Sequence, residues 1–385
     1  MSDRNLVIDN LRGLAMLGVI GIHAGDYVLK SATPWSALYV LLEVLTRFSV
    51  PAFFFISGYG LFTAYPLEKR LEYASFLKKR VFSIIIPYLA WSFIYLWAWK
   101  VMPLNPLAVD WVELGKTLFF GKASYHLYFL VLLWWFYVTL PGWRWLVGKI
   151  DQGGRIRLGL SLLVLTALQL WLYDWSSWYW KYPDWINYNH VLSNLLTERF
   201  NYCPLFYGVV FILGALGARH AGFCRQMLKK YWPGWTLLWL ASAAMMVLKF
   251  YELLHSGVAI MEAGDILNQL TPRGLWYTVA SLLCFCSLLD FVQGWGLKLI
   301  RSLSNHSLVI YLVHPLFLDG IPYHTGLLNL RFDQIPMPVY YFVVLGGAWM
   351  FSILLRAAAK KVGFLGRLFL GRDISRPALP PKAKL

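Results

Sequence analysis

The chain has 385 residues, of which 59% are hydrophobic and only 14% charged. A soluble domain has roughly 25% charged residues, so this chain lacks the polar groups to cover a water-exposed surface and is expected to be an integral membrane protein. Its formal charge of +16 does not point to nucleic acid, because the cations fall between apolar runs and not on a polar face interleaved with aromatic side chains.

About 20 apolar residues cross ~30 Å of hydrocarbon. Ten candidate spans occur, at about 6–28, 37–64, 81–100, 125–143, 158–174, 203–218, 233–251, 274–293, 305–322 and 337–356. The expected fold is an all-α polytopic transmembrane helix bundle, with residues 1–356 as one membrane domain and 357–385 as a basic cytoplasmic tail. Lys69 to Arg80 follow the second span, Arg144 to Arg157 the fourth, Arg219 to Lys230 the sixth, Lys298 and Arg301 the eighth, and further cations fill the tail. This alternation puts about two-thirds of the cations on one side, so the positive-inside rule places both termini in the cytoplasm. The first span is too long, and too polar at Asp9, Arg12 and His23, for a cleaved signal peptide. Cys203, Cys224, Cys284 and Cys286 lack metal-ligand spacing to a histidine; they read as buried thiols, and no metal is expected.

Ionisable groups inside spans cost about 2.5–3.5 kcal/mol each on insertion scales, so each is a functional candidate. Asp9 and Arg12 are three apart and share a helix face. Arg12 and His23 are eleven apart, three turns plus ~20°, which puts both on one face ~16 Å apart along the axis. Gly13, Ala15, Gly18 and Gly21 beside them allow close approach. A guanidinium at one depth and an imidazole deeper suit an elongated anion with its reactive end inward, the shape of acyl-coenzyme A. The plainer reading is an arginine snorkelling to headgroups and a histidine at the outer interface.

Glu43 and Arg47 have the spacing of an i,i+4 pair, which is most simply structural. Ser57-Gly58 suits either a tight packing point or a hydroxyl and bare backbone lining a site. Lys78, Lys79 and Arg80 serve either as a topological cluster or as a phosphate clamp on the same leaflet as Arg12. His126 opens the fourth span, and His314 lies in the ninth with Tyr311 one turn before it. Three histidines on three helices at outer depth suit proton transfer, because imidazole titrates near neutral pH. Between them, the segment 174–202 is rich in Trp and Tyr and reads as an interfacial belt or as a platform for sugar rings.

These elements carry a resemblance. IDNLRGLAMLGVIGIH with Arg12 and His23, PAFFFISGY with Ser57 and Gly58, FLKKR followed by IIPY, HLYFL at His126 and SLVIYLVHPL near the end stand in that order. Over residues 8 to about 317 the chain resembles the acyltransferase-3 family of bacterial integral membrane acyltransferases. The resemblance implies ten helices in a bacterial inner membrane, a cytoplasmic acyl-CoA donor, and transfer of an acetyl or similar group to a hydroxyl of an extracytoplasmic carbohydrate. It also implies that His23 is essential. Two positions depart from the family pattern: Ser83 stands where many members carry a second arginine after the one matching Arg80, and Tyr128 stands where many carry tryptophan.

On this reading Arg12, Lys78, Lys79 and Arg80 hold the coenzyme A phosphates and His23 acts on the thioester. His126 and His314 orient acceptor or carbonyl, and Asp9, Glu43, Arg47, Ser57, Gly58 and Tyr311 line the site. The rival is a transporter or flippase for a glycan or lipid-linked sugar, favoured by paired discontinuous helices. Succinyl transfer would call for an extra cation at outer depth, for which Lys122 or Arg199 qualifies.

Overall fold

A computed structural model describes residues 6–28, 42–99, 109–176, 186, 188–291, 295–320 and 337–372. Among them every element is helical and no strand occurs. In chain order they are α1 (Leu6–Val28), α2 (Leu42–Ala64), α3 (Tyr73–Ala98), α4 (Trp111–Phe120), α5 (Tyr128–Val138), α6 (Leu140–Asp151) and α7 (Gly154–Trp175). After the short α8 (His190–Thr197) and α9 (Arg199–Tyr202) come α10 (Gly208–Arg219), α11 (Ala221–Lys230), α12 (Trp232–His255), α13 (Ile260–Ile266) and α14 (Pro272–Leu288). The chain continues through α15 (Trp295–Pro315), α16 (Met337–Lys361) and α17 (Gly363–Leu370).

The ten expected spans are not all matched by helices that can cross. Six helices, α1, α2, α3, α7, α12 and α16, are long and apolar enough; counting the bent pairs α5–α6 and α10–α11 as single spans makes eight. The other two expected spans fall on α14, which has 17 residues, and on α15, whose first twelve residues include Lys298, Arg301, Asn305 and His306. The last 13 residues of the tail and most of the aromatic side chains of the 174–202 run lie outside the described residues; Trp175 and Tyr188 are exposed. Of the four cysteines, Cys284 and Cys286 are buried as expected, whereas Cys203 and Cys224 are half-buried.

The helices sort into two layers. α7 and α12 bury few side chains and present Leu160, Leu163, Leu168, Leu237, Leu240 and Leu248 outward, which in a membrane face lipid. The inner helices approach at backbone distance through glycine. A Cβ on Gly13 would lie 2.2 Å from the Ile300 carbonyl oxygen of α15, and one on Gly18 1.9 Å from Ser49 Oγ of α2. The small residues flanking the Arg12–His23 face thus admit neighbouring helices, as in other membrane bundles. Tyrosine hydroxyls then tie the inner layer, Tyr341 to the Leu17 carbonyl at 2.9 Å and Tyr277 to the Leu45 carbonyl at 2.7 Å.

Ion pairs group the connections by end. Arg219 reaches Glu68 at 2.9 Å and Asp151 at 2.6 Å, Arg144 donates to the carbonyls of the 65–69 turn, and Arg225 and Lys229 both hold Asp290. At the other end Lys122 pairs with Glu198 at 2.6 Å. The loops sorted by charge in the sequence therefore gather at one end of the bundle, the basic end. There the Arg225 hydrogen bonds, with Lys229 beside them, hold the Asp290 carboxyl below its ordinary range. A carboxyl with a lower folded pKa stabilises the fold above about pH 4 and loses that contribution as the pH falls further. Asp290→Asn is expected to flatten the acid limb of thermal unfolding in detergent, measured between neutral pH and the acid side of pH ~4.

Candidate active site

Two histidines line the cavity wall and a third, behind them, touches both. The His23 ring, near the end of α1, stacks on His314 of α15 at 5.2 Å between centroids, and His126 meets His314 edge-on at 5.2 Å. Each comes from a different segment, so only helix packing unites them. His126 is placed by the turn that joins α4 to α5. Gly121 closes α4 with φ +73, and a Cβ there would lie 2.6 Å from Tyr128 Cα. Only glycine meets both demands, so Gly121→Ala is expected to displace His126 and to lower both any activity of the site and the thermal stability of the purified variant in detergent.

Hydrogen bonds orient the rings. His314 Nδ1 lies 2.7 Å from the Tyr311 carbonyl oxygen. A carbonyl only accepts, so Nδ1 carries the proton and Nε2 is the basic nitrogen. His126 Nδ1 is 3.1 Å from Ser124 Oγ, and the Tyr311 hydroxyl donates to the His126 carbonyl. The Nε2 atoms of His126 and His314 are both buried without a partner among the described residues, which is where a buried polar group signals a ligand or a catalytic role.

A cavity of about 1030 Å³ runs past this cluster. Arg12 and Arg80 line it toward the basic end; His23, His126, Tyr128, Tyr311, Glu43 and Arg47 line its middle, and Asp174, Asp265, Gln269 and Thr271 line the far end. Arg80 is set beneath the cavity by stacking over Phe76 and Tyr137, 5.1 and 5.0 Å from their ring centroids. Immediately after it α3 takes a π turn, Val81–Ile85, ahead of Pro87. The proline cannot donate to Ser83, and π turns of this kind recur at functional sites.

Not every expected residue reaches the cavity. Arg12, Arg80, His23, His126, Glu43, Arg47, Ser57 and Tyr311 line it. Lys78 and Lys79 point outward and are exposed, because residues 100° and 200° around a helix from Arg80 cannot share its face. Asp9 stays off the wall and holds Arg12 at 3.2 Å. Gly58 is a packing point, its Cβ position 2.3 Å from the Phe211 carbonyl of α10. His314 is fully buried behind His23 and His126, so it can orient or relay a proton but does not touch a molecule in the cavity. Asp265, Gln269 and Thr271 were not singled out from the sequence, and Asp174 only as part of the aromatic 174–202 segment, since no local spacing ties α7 to α13 and the turn after it. No group of metal-ligating side chains occurs among the described residues.

A cationic entrance, a membrane-buried passage and imidazoles at its middle are the parts a membrane group-transfer enzyme needs. The model of the acyltransferase domain family (Acyl_transf_3) matches residues 5–357. The chain belongs to this acyltransferase-3 family. No curated protein and no solved structure gave a match in the comparisons. As an acyltransferase-3 member the protein is a multi-pass membrane acyltransferase, and the match includes every residue named in the cavity wall.

Proposed function

We propose that the protein transfers an acyl group, acetyl in the simplest case, from cytoplasmic acyl-CoA to a hydroxyl of an extracytoplasmic carbohydrate, in a bacterial inner membrane. The observation that carries this reading is the single cavity joining Arg12 and Arg80 to His23 and His126. Coenzyme A phosphates bind at the two arginines, whose planar forks match phosphate oxygens, and the pantetheine arm runs along α1. His23 then acts either as general base toward the acceptor hydroxyl or as the acyl-accepting nucleophile. The far end of the cavity, with Asp174, Asp265, Gln269 and Thr271, suits a polyhydroxylated acceptor.

Neither of the two outer cations expected to serve a succinyl carboxylate is placed to do so. The two outer cations are committed elsewhere: Lys122 to Glu198, and Arg199 to Ser176 and the Leu196 carbonyl; neither lines the cavity. A transporter is not favoured. The two bent pairs both turn at the basic end, α5–α6 beside Tyr73, whose hydroxyl donates to the Val138 carbonyl at 2.6 Å, and α10–α11 beside Asp151, which holds Arg219 and His220, so they are not the paired midplane breaks of a transporter.

The test is release of free thiol from radiolabelled acetyl-CoA, and label transfer to a surface-glycan acceptor, by purified protein in nanodiscs. Absence of both sinks the proposal. Arg12→Ala and Arg80→Ala are each expected to raise the KM for acyl-CoA about 10-fold to 100-fold, the loss of one charge-assisted phosphate contact, while Arg12→Lys keeps part of the affinity.

A further inference from the structure

The Glu43–Arg47 pair is expected from the sequence to be a structural neutralisation. Its surroundings suggest more. Glu43 is 1% and Arg47 8% exposed, yet both stand in the cavity wall. Residues 42–46 are helical, 47–48 form a turn, and the helix resumes at Ser49, so Arg47 sits at a break in α2. That break faces the outer half of α1, where a Cβ on Gly21 would lie 3.3 Å from Thr46 Oγ1. Arg47 is therefore level with the His23 turn, and Arg47, His23 and Tyr128 line the same cavity.

The guanidinium is only half used. Nε donates to Glu43 Oε1 at 3.0 Å and Nη2 donates to the same oxygen. A guanidinium has five N–H groups, and Nη1 meets no hydrogen-bonding group among the described residues and is not sealed from the cavity. A fork clamped on one edge by a buried carboxylate and open on the other is a preorganised donor pair in a water-poor site, the arrangement that stabilises negative charge developing on an oxygen.

We infer that Arg47 is a catalytic residue that binds the thioester carbonyl oxygen and stabilises the oxyanion formed from it, and that Glu43 is its positioning residue. This rests on the acyl-transfer reading above. As the acceptor oxygen bonds the thioester carbon, its proton passes to His23 and the carbonyl π pair moves onto the oxygen, which Arg47 holds. The oxyanion then collapses, the C–S bond breaks, and the departing thiolate takes the proton from His23. If the acyl group is first carried on His23, the same oxygen bears the charge in each half-reaction.

The deciding experiment compares unmodified protein with the double variant Glu43→Gln/Arg47→Met. Replacing a buried ion pair by uncharged side chains of similar size is often neutral for stability, so a purely structural pair predicts a folded, active enzyme. The expected result is a folded variant with unchanged KM for acyl-CoA and kcat lowered about 10²-fold to 10³-fold, the loss of one oxyanion donor. Wild-type kcat in the double variant overturns the inference, as does a change confined to KM. Arg47→Lys, which keeps the pair with Glu43 but loses the second arm of the fork, covers the case in which the double variant does not fold; it too is expected to lower kcat at constant KM, and wild-type kcat in it likewise overturns the assignment. Absence of transfer by the unmodified protein overturns the acyl-transfer reading itself, a separate outcome.

Discussion

Replacing His23 with alanine is expected to lower acyl transfer by about 10²-fold to 10⁴-fold, the contribution of a positioned proton-transfer group, and by more if the ring carries the acyl group. His23 is the one member of the three-histidine cluster that lies on the cavity wall on the same helix face as Arg12. Its ring is half-buried, stacked on His314 and 4.8 Å from Tyr125, so its loss removes wall and not core. The variant should elute as folded protein and still bind acyl-CoA through Arg12 and Arg80. His126→Ala and His314→Ala are expected to cost less, one orienting at the wall and the other acting from behind it. Near wild-type transfer by His23→Ala, at equal expression, would remove the proposed mechanism altogether.

Gly214→Val is expected to be the most damaging substitution for the fold. Gly214 of α10 and Gly58 of α2 face each other's helices, and a Cβ on Gly214 would lie 2.0 Å from the Phe55 carbonyl oxygen and 2.9 Å from its carbon. These are backbone atoms of the opposing helix, so no side-chain rotation relieves the clash and the helices must separate. Overpacking typically costs about 1–3 kcal/mol, and the upper end of that range or beyond is expected where backbone must move. It also shifts the helix that carries Arg47 and Ser57, so activity should fall with the yield of monodisperse protein in detergent chromatography. Gly159→Val on α7, where nothing lies within 4 Å of the Cβ position, is the control expected to express normally. Equal yields from the two variants would show that the α2–α10 crossing is not set by backbone contact.

The differences between the expected and observed sites have identifiable physical origins. Arg12 and His23 were readable because both lie on one helix, whose period fixes their relative direction. Lys78, Lys79 and Arg80 form one cluster in the sequence but cannot point one way on a helix, and only Arg80 enters the cavity. Ser57 and Gly58 divide similarly: the hydroxyl side chain, bonded to the Phe53 carbonyl at 2.8 Å, lies on the wall, while the glycine lies on the face against α10. Glu43 and Arg47 do pair, as their spacing requires, but no local rule reveals that the pair lies beside His23.

The amino-acid sequence alone determined the membrane character, the all-helical class and the sorting of basic loops to one end, and it singled out Arg12 and His23. Those properties depend on composition, on hydrophobic run length and on the helical repeat, all of which are local. Which of the apolar runs form helices long enough to cross was decided by where α5, α10 and α15 break or turn polar. Tertiary packing alone brought His126 and His314 to His23, placed Arg80 below them, left one edge of Arg47 open, and closed the far end with Asp174 and Asp265. Those contacts join residues on different helices, at distances set by glycine approaches such as Gly18 to Ser49 and Gly214 to Phe55, which no periodicity along a single segment encodes.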